Sequence, residues 1–330
     1  MAVLTSRRRA VRRVVLALLL VAAVSWPAAA QPRTFIAVAT GGTAGVYFPL
    51  GAALAEIWSS RVPGVQATAQ TSGASVANIQ LIARGDVGVA FVQNDIAYYA
   101  FHGIEMFMDR VNNRPQPVAN LRGMAMLYPE TIQVVTLRGK GIRSIADLRD
   151  RRVAVGAPGS GTEVNARQIL RAFDLGYYNI REDFLNFAEA ADQLKDGVID
   201  AAFITAGIPT AAVQDIAAVR DLMLLPIPRS VVAELATRYP YYTPVVIPAN
   251  TYRGQDAPVE TAAVMAMLVT RQEMAEDLIY TLTKALWENL ERLQAAHARG
   301  KDISPATARR GMPITMHAGA LRYYRERGIR

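Results

Sequence analysis

The feature that most constrains this chain is a unit that occurs twice: a short apolar strand, a Gly/Ser/Thr loop, an amphipathic helix, and then a second apolar strand. The first unit opens with residues 35–40 and passes through Gly41, Gly42, Thr43, Ala44 and Gly45. It continues into a run with Leu50, Ala53, Leu54, Ile57 and Trp58 at helical spacing. The second opens with residues 152–156 and passes through Ala157, Pro158, Gly159, Ser160, Gly161 and Thr162. Its helix carries Ala166, Ile169, Leu170 and Phe173 on one face. Each unit returns through a Gly/Asp turn, Gly85-Asp86 into residues 87–92 and residues 197–200 into residues 201–204. Runs that are apolar on both faces suit strands of a parallel sheet covered by helices on each side. Alternation of strand, helix and strand makes the chain α/β.

Residues 127–137 lie between the two units and read as a strand interrupted by Pro129, the first crossing between two lobes. A return crossing is expected near residues 262–269, after Pro240, Pro244, Pro248 and Pro258. A long amphipathic helix over residues 272–297, with Leu278, Leu282, Leu286 and Leu293 inward, should follow. Two crossings make one lobe discontinuous: residues 31–130 plus 260–330 form lobe 1, and residues 131–259 form lobe 2. About 300 residues can supply each lobe with its own core.

The first thirty residues read as an export signal rather than as part of the fold. Arg7, Arg8, Arg9, Arg12 and Arg13 precede a short apolar stretch, and Ala28, Ala29 and Ala30 supply a cleavage site. The apolar stretch is shorter than the roughly 20 residues that span a bilayer. Cleavage removes five of the 36 basic residues and none of the 28 acidic ones, so the net charge falls from +8 to +3. No cluster of Lys and Arg with interleaved aromatics remains to bind nucleic acid. Arg322, Arg325, Arg327 and Arg330 read as a solvated helix face. The chain has no cysteine, which excludes a disulfide framework, thiol catalysis and cysteine-ligated metal.

Three Gly/Ser/Thr clusters precede helices, at residues 40–45, 71–75 and 159–162. A helix N-terminus presents unpaired N–H groups and the positive end of the macrodipole, so it can hold an anion without a formal cation. In open α/β sheets ligands sit beyond the carboxyl ends of the strands, where these loops fall. A helix cap and a ligand contact use the same hydroxyl geometry, so the pattern leaves both roles open for each Ser and Thr.

Enzyme motifs are incomplete. Residues 156–161 have the spacing of a phosphate loop, but Thr162 and Glu163 stand where Lys and Ser/Thr are required. There is no Gly-x-Ser-x-Gly elbow, and His102, His297 and His317 show no metal-ligand spacing. A structural or surface role is the preferred reading of each histidine, and neither metal nor organic cofactor is expected.

Taken together, the runs TGGTAGVYFPLG (residues 40–51), TSGASVAN (71–78), GSGTE (159–163) and HAGALRYY (317–324) resemble the TAXI family, the TRAP-associated extracytoplasmic solute receptors. The resemblance covers essentially the whole chain after the leader. It implies a type II periplasmic-binding-protein fold of two α/β lobes joined by a two-crossing hinge. It also implies a periplasmic monomer that is not an enzyme, closes around a small anionic solute such as glutamate or 2-oxoglutarate, and delivers it to a TRAP membrane permease. Family binding positions fall on Thr43, Tyr47, Ser75, Asn78, Gln93, Ser160, Gly161 and Thr162. Ala44 and Val46 stand where many relatives have Gly and a small or hydroxyl residue, and Ala318 where many have Pro.

Within that frame Thr43, Ser75, Ser160 and Thr162 would donate hydroxyls to carboxylate oxygens, and the backbone of Gly161 would complete the cradle. Asn78 and Gln93 could donate or accept. Tyr47 and Tyr128 would form an apolar wall with polar tips. Glu130, after Pro129, is read as a solvated turn residue in preference to a partner for a substrate ammonium. The alternatives kept open are a receptor for an ABC importer or a sensor kinase and, in another class, an exported hydrolase.

Overall fold

The computed structural model of the protein describes residues 33–329. The expected leader, residues 1–30, lies outside the described residues.

The chain builds one mixed sheet. In the first half, β1 (Thr34–Ala39), β2 (Val65–Gln70) and β3 (Val89–Gln93) are joined by helices α1 (Tyr47–Arg61) and α2 (Ser75–Arg84). Helix α3 (Asn94–His102) and a small hairpin of β4 (Met108–Asp109) and β5 (Arg114–Pro115) lead to the long strand β6 (Leu121–Leu137). The second half repeats the pattern with β7 (Arg152–Ala154), α4 (Gly161–Ala172), β8 (Arg181–Asp183), α5 (Phe187–Lys195) and β9 (Ala201–Ala206). Helices α6 (Ala211–Val219) and α7 (Arg229–Arg238) flank β10 (Leu222–Leu225), and β11 (Thr243–Ile247) precedes the second long strand, β12 (Val259–Arg271). The strand order is β2-β1-β3-β12-β6-β9-β7-β8, with β10 paired to β6 and β11 to β12. Within each half the strands run parallel; β12 is antiparallel to β3 and to β6, and β6 is antiparallel to β9.

Local sequence explains the elements. β3 and β9 are buried at every position, as strands covered on both faces must be. The edge strand β2 alternates instead, with Val65 and Ala67 inward and Gln66 and Thr68 outward. Leu50, Ala53, Leu54, Ile57 and Trp58 all bury one face of α1, and Trp58 Nε1 donates to the Leu282 carbonyl at 3.0 Å.

Three features depart from the sequence reading. β6 is not interrupted at Pro129. The proline pairs opposite Met265 where the ladder shifts register, and β9 joins only from Thr131 onward, so its missing N–H costs no ladder bond. The C-terminal helix is not continuous. α8 (Glu276–Trp287) starts later than expected, with Glu276 and Asp277 in its first turn. It stops before Asn289, whose Nδ2 donates to the Ala285 carbonyl at 2.8 Å, and α9 (Leu290–Ala296) begins anew. Leu282, Leu286 and Leu293 are buried and Leu278 is half-buried.

The third departure concerns burial, which is partitioned by sheet face rather than by half. One apolar cluster joins α1, α5, α6, α8 and the last helix, α10 (Ala318–Glu326), over one face. The other joins α2, α3, α4 and α7 over the opposite face. Both cores run through both halves because β6 and β12 carry a single sheet across them.

Candidate functional site

The carboxyl ends of the parallel strands in the two halves open onto one cavity of about 60 Å³, enough for several waters or a few ligand atoms. Every parallel strand contributes to it. Beyond β1 lie Gly41, Gly42, Gly45, Val46 and Tyr47; beyond β2 lie Ser72, Gly73, Ala74 and Ser75; Gln93 ends β3. From the other half, Ala157, Ser160, Gly161 and Thr162 follow β7, Asn186 and Phe187 follow β8, and Thr205 and Ala206 end β9. Glu130 enters from the middle of β6. Four helices, α1, α2, α4 and α5, thus begin at the rim, where the N–H groups of a first turn have no partner within the helix.

Tyr47, Ser75, Gln93, Ser160, Gly161 and Thr162, all expected at the site, line this cavity. Ser160 Oγ accepts from the Glu163 N–H at 3.1 Å, so it caps α4 and faces the cavity at once. Ser75 Oγ accepts from the Gln93 N–H at 3.1 Å. Gly161 lies close against the Gln93 side chain, and a Cβ there would push the Gln93 amide aside.

Three expected residues are elsewhere. Thr43 is exposed at the tip of the turn that the Gly45 N–H closes onto the Gly42 carbonyl at 3.2 Å. Asn78 is wholly buried behind the rim; its Nδ2 donates to the carbonyls of Thr40 (2.6 Å) and Phe91 (2.8 Å), and its Oδ1 accepts from Ser72 Oγ. It therefore joins the ends of β1 and β3 rather than reaching a ligand. Tyr128 is buried, and its ring packs toward Gly207 outside the cavity lining.

Glu130 reverses its sequence reading. Because β6 runs through Pro129, the residue lies inside the sheet, 2 % exposed, and its Oε2 accepts from Tyr47 Oη at 2.8 Å. Burial pushes the carboxyl up to about 8, the hydrogen bond from Tyr47 opposes the shift, and the nearby Asp95 adds to it. Burial first, and then Glu130, pushes the Tyr47 phenol well above its ordinary value.

Sequence reasoning passed over Asn186, Phe187 and Thr205. Asn186 had a legible signal, the Asn-x-x-Glu capping box with Glu189: Asn186 Oδ1 accepts from the N–H groups of Ala188 and Glu189, and Glu189 Oε2 accepts from the Asn186 N–H at 2.9 Å. Thr205 has none; pairing of β9 with β6 places it there.

Among the described residues Glu130 is the one carboxyl of the lining, and no Lys, Arg or His lines the cavity. His317 and His297 cap helices, accepting at Nδ1 from the N–H groups of Gly319 and Arg299, and His102 packs on Tyr98 at the surface. Among the described residues no group of three or more His, Cys, Asp or Glu is placed to hold a metal. No helix among them is long and apolar enough to cross a membrane.

Comparison with known proteins places this geometry. The NMT1-like family pattern matches residues 38–328. A solved structure from Bordetella bronchiseptica RB50 has a TM-score of 0.55 at 14% identity, covering 90% of this chain and 98% of that one. The alkanesulfonate-binding protein SsuA from Xanthomonas axonopodis pv. citri, solved bound to MOPS, has a TM-score of 0.50 at 12% identity, covering 91% and 96%. At such identities the likeness shows the fold, a mixed α/β architecture of the periplasmic binding protein type.

Proposed function

We propose that this chain, which belongs to the NMT1-like family, is a periplasmic solute receptor that holds a small carboxylate between its two half-sheets and delivers it to a membrane transporter. The observation that carries this reading is the convergence of four helix N-termini, with Ser75, Ser160 and Thr162, on one cavity. Such donors hold an anion without a formal cation. The receptor reading stands against the hydrolase because no histidine among the described residues lines the cavity beside these hydroxyls.

Domain limits fit the same reading: residues 31–130 plus 260–330 as lobe 1, residues 131–259 as lobe 2, with β6 and β12 as the two crossings. The halves also touch around the cavity. Gly159 of the second half accepts from the N–H groups of Val76 and Ala77, and the Ala212 N–H donates to the Ala44 carbonyl at 3.2 Å. Such contacts belong to a closed clamp, and a solute drives closure only if it binds the closed form better than the open one.

The transporter is a TRAP permease of the TAXI type on the sequence resemblance; the fold serves an ABC importer equally well. A permease gene beside this one supports the first, and an ATPase gene the second. The ligand class is tested by calorimetry against C4 and C5 carboxylates, amino acids and alkanesulfonates, the last because a sulfonate offers acceptor oxygens to the same donors. We expect micromolar or tighter binding of a carboxylate. Binding of sulfonates alone, or of neutral sugars alone, overturns the carboxylate assignment.

A further inference from the structure

The rim and the floor of the cavity differ in hydrogen-bonding character. Helix N-termini at the rim supply donors. Strand residues Gln93, Glu130 and Thr205 make the floor, and they bring side-chain oxygens able to accept. Gln93 Oε1 and Thr205 Oγ1, on residues 2 % and 4 % exposed, have no protein partner among the described residues. Among the described residues Glu130 takes one side-chain hydrogen bond, from Tyr47, and keeps acceptor capacity toward the cavity. Buried acceptors without donors are costly to leave so, and no cationic residue lines the cavity to answer them. An anionic group set on this floor would find no cation and would crowd against the Gln93, Glu130 and Thr205 oxygens.

Resting on the carboxylate-receptor reading, we propose that Glu130 is a specificity-determining residue: it takes a nitrogen-borne cation of the solute, beside Gln93 and Thr205, and gives its own proton to solvent as the solute enters. The Oε–H bond of Glu130 breaks, the proton leaves to water, and the solute ammonium keeps its protons. A carboxylate–ammonium pair replaces a neutral carboxylic acid, and no covalent bond to the solute forms.

The surroundings favour this exchange. Tyr47 on α1, Tyr128 on β6 and Asp95 at the start of α3 are the titratable groups around Glu130. Adjacent strand positions present Val264 and Ala206, which carry no charge. Arg299, whose charge reaches Tyr128, is paired with Asp302 at 2.7 Å. With its carboxyl near 8, Glu130 holds a proton at pH 6.5 until a cation replaces it. Asp95, pushed up to about 7 mainly by burial, lies outside the cavity lining and is bonded to Asn165 Nδ2 at 3.1 Å.

The test compares glutamate, 2-oxoglutarate and glutarate, which differ only at C2, by calorimetry at pH 6.5 in two buffers of different ionisation enthalpy. Glutamate should bind at least tenfold more tightly than the other two, with release approaching one proton per glutamate and none per glutarate. Glu130→Gln should lose both the preference and the release while melting as a folded protein, and Asp95→Asn should keep the release. Equal binding of the three acids, tight glutamate binding without proton release by the wild type, or loss of release in Asp95→Asn overturns the assignment and leaves the carboxylate reading standing. If none of the three binds and the wider carboxylate panel is also empty, the receptor reading itself fails and this inference falls with it.

Discussion

At the cavity rim the two halves of the molecule start their helices in opposite ways. In the second half α4 and α5 close on their own side chains, Ser160 and Asn186. In the first half α1 and α2 begin after Val46 and Ala74, neither of which supplies a side-chain cap. Ala74 also has a φ of 69°, uncommon for a residue with a Cβ. α2 borrows its cap from across the cleft, its Val76 and Ala77 N–H groups donating to the Gly159 carbonyl at 3.0 and 3.1 Å. The two rim helices of the second half are thus capped from within it, although α6 takes the Ala44 carbonyl of the first half through its Ala212 N–H. In the first half α2 takes its acceptor from the second half, and α1 begins at the cavity, where on the proposed reading a solute anion would serve its N–H groups. If the proposed clamp closes, it gains helix hydrogen bonds of this kind as it shuts.

The largest effect that would sharpen this contrast is on the framework of the uncapped half. Asn78→Ala leaves the carbonyls of Thr40 and Phe91 without their buried donor and should cost about 3 kcal/mol in denaturant unfolding. Asn186→Ala, which removes only a cap, should cost about 1 kcal/mol. Equal losses would break the contrast.

Glycines of the two turns should separate next. Gly161→Ala forces the Gln93 amide aside and should weaken solute binding by about 1–3 kcal/mol. Gly42→Ala meets nothing closer than Asn186 Cβ at 3.9 Å and should stay within about 0.5 kcal/mol in calorimetry. If Gly42→Ala is the more damaging, the first turn approaches the solute more closely than this geometry has it.

The smallest difference concerns hydroxyls. Ser160→Ala should lower stability by about 1 kcal/mol through its cap and also weaken binding. Thr43→Ala, at an exposed turn tip, should change either by less than about 0.5 kcal/mol. A thermal melt and one titration per variant decide the point.

Much of the fold was legible because its signals are local. Apolar runs at residues 87–92 and 201–204 announced buried strands, and the faces of α1 and α4 showed at helical spacing. Asn289 was harder to read, since breaking a helix there depends on one side chain competing for the Ala285 carbonyl. At the candidate site Ser75, Ser160 and Thr162 were legible as hydroxyls beside helix starts. Thr43 and Asn78 carried the same signal, yet one stands at a turn tip and the other braces two strand ends.

The sequence by itself determined that strand, Gly/Ser/Thr loop and helix follow one another twice, because turn chemistry and hydrophobic periodicity act within a few residues. Tertiary structure decided which groups those loops face. Gln93, Glu130 and Thr205 lie far apart in the chain and meet only because β3, β6 and β9 enter one sheet. Burial there, rather than any property of residues 129–131 alone, turns Glu130 from an ordinary carboxylate into one that holds its proton. The borrowed cap is of the same kind: a backbone carbonyl carries no sequence signature, and only the meeting of two halves brings Gly159 to the start of α2.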